Sequence, residues 1–424
     1  MNDFTKGIAT ELAVLQESCK KYTINALTKP INYDEGKTAW MEAARSGRYT
    51  NPQWSYDMPK LYGATNSIDE LAVSRDHLDK MLATDSPSDI FVRELIYRAY
   101  ERQMQVCLAA NRIAEQRDGD TSLSLADYFG PLNQELIDLA YRIESGDTRF
   151  FDDAIADIQC AKSVEEIEKL KSTLWTSYGL ADLVRKAIDT YGLSDTWVCE
   201  IHAKNLCSAI NVTGKKPGIF IPENYSAQKN SIEAAMMVGH ECTHMLHYAN
   251  CIELLVREFN IPYDVARIVV ARQPSVLTEG FAKLNDARVK KFYTGTNEGA
   301  AHPYYVIAAD IASKGGSFAD IAAYIYPRRI AAGYSIDETL EFVWKACYRT
   351  FRGCHNTENP RCFVNTDAKS YLEGNVQAIK LEKTAPIMSS YAKLSLSDID
   401  RASSILGAEI PVYYPHRHIA ETLF

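Results

Sequence analysis

The chain has no apolar run near the length of about 18 residues that a membrane span requires. Its start, Met1-Asn2-Asp3-Phe4-Thr5-Lys6-Gly7, carries no apolar core of the kind that directs secretion. There is no surplus of basic residues either: 46 Lys and Arg stand against 55 Asp and Glu, a formal net charge of −9. That balance argues against nucleic-acid and anionic-membrane partners, which demand basic surfaces. None of the ten cysteines falls into a Cys-x-x-Cys pair. Scattered through 424 residues, they are expected to be free, mostly buried thiols of a reducing compartment, so a cytoplasmic protein is the expectation. Cys347, Cys354, His355 and Cys362 are spaced too irregularly to favour a second metal site. What remains, 46% hydrophobic and 24% charged, is the composition of an ordinary globular protein, long enough for two or three core-bearing units.

Against that background one stretch stands out, Met236 to Asn250, which contains His240-Glu241-Cys242-Thr243-His244. On a helix the two imidazoles, four positions apart, lie one turn above each other on one face, where both can reach a single tetrahedral Zn²⁺. Glu241 is rotated off that face, towards the metal's open position, and a carboxylate there can act as general base on a water. The surroundings favour a helix. Asn230-Ser231-Ile232-Glu233 has the form of a capping box, and Ile232, Ala235, Met236, Gly239 and Leu246 recur at near-helical spacing. Glycine in mid-helix costs about 1 kcal/mol against alanine, so close packing is expected at Gly239.

A His₂ site needs a third protein ligand. Glu253 and Glu258 lie in the continuation of the same helix, whereas Glu279 opens a second helical pattern (Phe281, Ala282, Leu284, Ala287, Val289), with Thr278 placed to cap it. Two histidines from one helix and a glutamate from a later one make the His₂Glu set of hydrolytic zinc enzymes, with the fourth position left to water. His247 falls near the ligand face, as a third imidazole ligand or, the preferred reading, as a residue that supports or packs behind the ligands. Asp286, seven positions after Glu279, either orients a ligand histidine or is a plain surface acid, the latter being preferred.

These residues resemble a known family. His240-Glu241-x-x-His244 and the later segment Thr278-Glu279-Gly280-Phe281-Ala282, whose Glu279 lies 35 positions after His244, look like the zinc peptidases that include the microtubule-associated tyrosine carboxypeptidase and its bacterial relatives with a QEGLA motif. The likeness extends to Lys29-Pro30-Ile31-Asn32 and Asn51-Pro52-Gln53-Trp54-Ser55-Tyr56 near the start. Beyond the histidines it takes in Arg349-Thr350-Phe351-Arg352-Gly353, Tyr371-Leu372-Glu373-Gly374 and Leu396-Ser397-Asp398-Ile399-Asp400. Two departures stand out. The histidines here are one residue closer than in the family, which suits a regular α-helix rather than a π-bulge, and the stretch Phe363 to Lys369 aligns only with a gap.

The resemblance implies a zinc metallocarboxypeptidase acting on a peptide or protein C-terminus and releasing a residue, an aromatic one by the family's name. It implies Tyr371 as donor to the developing oxyanion and Arg349 and Arg352 as anchors for the substrate carboxylate, a role that suits a planar guanidinium. It also places Trp54 and Tyr56 in a non-helical stretch that could reach the cleft. The residues alone leave open an aminopeptidase, an endopeptidase, or a binding protein with a structural zinc.

The expected fold is a predominantly α-helical α+β protein with a zincin-like catalytic core, a small β-sheet beside the zinc-binding helix and an N-terminal helical region. Residues 1–190 read as that mostly helical region, with Ser163 to Tyr191 continuing its helical pattern, and residues 191–424 as the catalytic region. From Trp197 to Pro222 three short β patterns precede the zinc helix, as an edge for an extended substrate or as a structural hairpin. Pro411 to His418 reads as an extended strap, and its His416 and His418 as solvated side chains.

Overall fold

A computed structural model of the chain describes residues 3–81, 86–115, 130–160, 162–202, 209–211, 216–223, 229–274, 276–296, 303–358, 365 and 369–414. The protein is predominantly helical with a little strand, an α+β architecture. Among the described residues no helix is long and apolar enough to cross a membrane. The chain divides into two compact units, each assembled from three stretches: Met1–Met81, Tyr100–Asp147 and His302–Leu372 in one, Leu82–Ala99, Thr148–Ala301 and Glu373–Phe424 in the other. The boundary expected near residue 190 falls inside the second unit.

The first unit is built around aromatic side chains. Trp40, Trp54, Phe318, Trp344 and Phe351 are all buried, with the rings of Trp54 and Trp344 edge to face at 5.7 Å, a favoured geometry for aromatic pairs. Trp54 and Tyr56 are therefore core residues of this unit: Trp54 is 3% exposed, and the Tyr56 hydroxyl accepts from the Gly353 N–H and donates to the Cys354 carbonyl. Burial pushes the Tyr56 hydroxyl well up from its usual pKa. Capping boxes start two helices here, Ser317 with Asp320 ahead of Phe318–Ala331 and Ser335 with Glu338 ahead of Ile336–Phe351.

The second unit holds the strands. β1 (Leu174–Trp175), β2 (Val198–His202), β3 (Ala209–Asn211), β4 (Gly218–Pro222) and β5 (Lys229–Asn230) form two sheets. β2 runs parallel to the central β4 and β3 antiparallel to it; β1 pairs with β5. The helical pattern from Ser163 to Tyr191 is interrupted, because Leu174 and Trp175 pair with Asn230 and Lys229 and the Trp175 indole donates to Ser231 Oγ at 3.0 Å. Helices Val164–Ser172 and Ser177–Thr190 lie on either side of the break. Helix Ser177–Thr190 and the β2-β4-β3 sheet bury Leu180, Val184, Trp197, Ile219 and Ile221 against Val238, Cys242 and Met245. These last three belong to the histidine helix Ser231–Arg257, so the sheet is a wall behind that helix.

That helix starts as its sequence dictates. The Asn230 side chain accepts from the Glu233 N–H, and Glu233 accepts from the Asn230 N–H. Its middle is fixed by the glutamate helix Val276–Thr294. Asn285 donates to the Gly239 carbonyl at 3.1 Å, and a methyl group on Gly239 would come within 3.1 Å of the same amide, which accounts for glycine there. At its far end the Asn250 amide pairs with both the N–H and the carbonyl of Tyr414. This docks the described part of the strap, while His416 and His418 lie outside the described residues.

Candidate metal centre

His240 and His244 project from successive turns of the histidine helix with their Nε2 atoms 3.2 Å apart. The Glu279 carboxylate faces them, Oε1 at 3.6 Å from His244 Nε2 and Oε2 at 3.7 Å from His240 Nε2. These three donors lie within 4.8 Å of one another and form a group that could hold a metal ion. The spacing fits: two nitrogens bonded tetrahedrally at zinc's ordinary distances sit about 3.3 Å apart. Glu279 Oε2 is also buried without a hydrogen-bond partner among the described residues. A buried carboxylate oxygen left so is costly unless a cation answers it.

The electrostatics follow from this crowding. Burial alone would push the Glu279 carboxyl up, but the imidazoles of His244 and His240 and the Lys283 ammonium outweigh it and hold the carboxyl far below its usual range. Gly280, next to Glu279 in the first turn of the helix, lets another backbone come very close. A methyl group there would lie 1.9 Å from the Gly374 carbonyl oxygen, and one on Gly374 2.1 Å from the Val276 carbonyl oxygen. Both glycines stand in the motifs that carry the family resemblance.

Around the ligand set lies a shell of polar partners. Asp286 is 7% exposed and its Oδ2 sits 3.2 Å from His240 Nδ1; the surface-acid reading does not hold, and the helical spacing from Glu279 had the right face. Lys283 donates to the same oxygen at 2.8 Å. Burial opposes the Asp286 carboxylate, but Lys283 and His240 outweigh it and lower its pKa. Thr278 does not cap its helix, which begins two residues earlier at Val276; its hydroxyl meets His244 Nδ1 at 3.3 Å and also His247 Nδ1. His247 is fully buried and is not in the ligand group. Thr278 and Lys283 were not legible as site residues, since only tertiary packing brings their polar atoms to the imidazoles.

Glu241 is 6% exposed, and neither of its carboxylate oxygens is sealed off without a partner as Glu279 Oε2 is. Thr243, between the histidines, donates to the Gly239 carbonyl and accepts from Asn285, so it is structural. Tyr371, Arg349 and Arg352 belong to the first unit. There Arg349 donates to the Tyr371 hydroxyl at 2.8 Å, and Arg352, 9% exposed, donates to Asn25 Oδ1. Of the thiols weighed as a second metal site, Cys347 and Cys354 are buried and free and bond to backbone carbonyls; Cys362 lies outside the described residues.

Fold and site together define a helical α+β protein with a His₂Glu group suited to a metal ion. Compared with protein-family models and with curated proteins, the chain matches none.

Proposed function

We propose that this chain is a zinc-dependent peptidase with a zincin-like core, its metal held by His240, His244 and Glu279. The observation that carries the proposal is Glu241. Glu241 stands next to His240 on the helix that carries both histidines of the His₂Glu group, and it is the one residue of the motif that hydrolysis needs and metal binding does not. An ion held by His240, His244 and Glu279 would supply Lewis acidity towards the scissile carbonyl and the attacking water. Glu241 takes the proton of the attacking water and returns it to the departing amine. Asp286 accepts from His240 Nδ1–H and keeps its Nε2 towards the ligand set.

The direction of cleavage, removal of a C-terminal and by resemblance aromatic residue, rests on the likeness to the tyrosine carboxypeptidase family. So do the oxyanion role for Tyr371 and the carboxylate-anchor role for Arg349 and Arg352. A KM rise in Arg349→Lys, against a kcat loss in Tyr371→Phe, would support those roles. The test of the central reading is Glu241→Gln: hydrolysis should fall by at least ~10²-fold while zinc stays bound at one ion per chain. Undiminished hydrolysis by that variant would sink the proposal. Peptides blocked at either end, with products read by mass spectrometry, separate a carboxypeptidase from an aminopeptidase or endopeptidase.

A further inference from the structure

The two candidate ligand histidines are oriented by different means. His240 faces a carboxylate, which can only accept, so its Nδ1 carries the hydrogen. His244 faces a hydroxyl, which can donate or accept, and Thr278 alone does not settle which ring nitrogen of His244 is protonated.

The next groups along settle it. His247 Nε2 lies 2.8 Å from the Ser389 carbonyl oxygen, which can only accept, so that nitrogen is the N–H of the ring. In the neutral imidazole Nδ1 then carries the lone pair, and it touches the Thr278 hydroxyl. Thr278 must donate its single hydrogen there, which leaves its oxygen to accept from His244 Nδ1. His244 Nε2 is thereby left as a lone pair, 3.2 Å from His240 Nε2 and 3.6 Å from Glu279 Oε1.

We propose that Ser389, His247 and Thr278 form a hydrogen-bond relay that locks His244 in the tautomer able to bind the metal. The relay rests on the metal-centre reading above. His247 and Thr278 are positioning residues, acting on the ligand set through His244. His247 stands three residues after His244, and Thr278 directly precedes Glu279, so each ligand-bearing helix carries its own part of the clamp. The chain ends on a backbone carbonyl in the short helix Met388–Tyr391, so it adds no charge to the centre.

The experiment uses ¹⁵N-histidine-labelled whole chain, free of metal and at mildly alkaline pH, with ring tautomers read from long-range ¹H–¹⁵N spectra. His244 should be the Nδ1–H form and His247 the Nε2–H form; a His244 ring in the Nε2–H form overturns the relay. Thr278→Val, close in shape but without the hydroxyl, should release His244 into a tautomer mixture and weaken Zn²⁺ binding by about tenfold or more, measured by competition with a chromophoric chelator. Thr278→Ser should restore both. Equal zinc affinity in wild type and Thr278→Val also overturns the relay, whereas a wild-type chain that binds no zinc fails the metal-centre reading and leaves the tautomer measurement to judge the relay by itself.

Discussion

An acid placed seven residues after Glu279 returns to the same side of its helix, and there Asp286 meets both His240 and Lys283. Replacing it with asparagine keeps the shape and removes the charge that fixes the His240 ring. Asp286→Asn is expected to weaken zinc binding by about 10- to 100-fold, measured by chelator competition, with the helical circular-dichroism signal unchanged. The two histidines were legible because a spacing of four puts them on one helix face, and Glu279 because it opens the next helical pattern. Asp286 was legible only as to its face, since a periodicity does not say whether an acid on that face meets water or an imidazole. Thr278 was misassigned for the same reason: a threonine at a helix start is ordinarily a cap, and the hydroxyl's true partners lie 34 and 31 positions away.

At the scale of elements, the crossing of the glutamate helix with helix Ser370–Thr384 leaves no room for a side chain. Gly280→Ala would drive its methyl group into a backbone carbonyl that cannot rotate away. It should therefore destabilise by at least about 2 kcal/mol and loosen zinc binding by displacing Glu279, seen as a lowered denaturant midpoint and a weaker zinc titration. The capping boxes at Asn230, Ser317 and Ser335 follow from local chemistry, and that at Asn230 could be read directly from the sequence.

Another such box begins helix Leu396–Leu406, where Asp398 accepts from Ser395 and also takes two bonds from Arg98. Burial pushes the Asp398 carboxyl up, but Arg98 and Ser395 prevail and lower it from its usual 3.8. Because the folded state holds the proton less tightly, this contribution to stability is complete above that usual value and is lost as pH falls through the depressed one. Asp398→Asn should cost about 1 kcal/mol near neutrality, discounted for the half-exposed Arg98. The gap from wild type should close on acidification, read from urea midpoints across pH.

For the molecule as a whole, a ligand that binds only the folded chain stabilises it by mass action, about 2.7 kcal/mol when present at a hundred times its Kd. Removing metal with a chelator should lower the melting temperature of the protein and added Zn²⁺ restore it, while the Asp286→Asn variant should show a smaller shift at the same zinc concentration. Helix content and the segments β2, β3 and β4 were legible from local pattern; β1, β5 and the assembly of each unit from three separate stretches were not, because no local signal records which distant stretches pair. Such long-range pairing within the second unit reaches into the support of the candidate metal centre. His247 finds its acceptor, Ser389, 142 positions later in the chain, and Gly374 likewise follows Gly280 at long range. At ordinary synthesis rates the ribosome needs roughly 10–30 s to cover the former gap. A nascent chain thus displays both imidazoles well before the carbonyl that anchors His247 has been made, and loading with metal is expected to be a late, post-translational event.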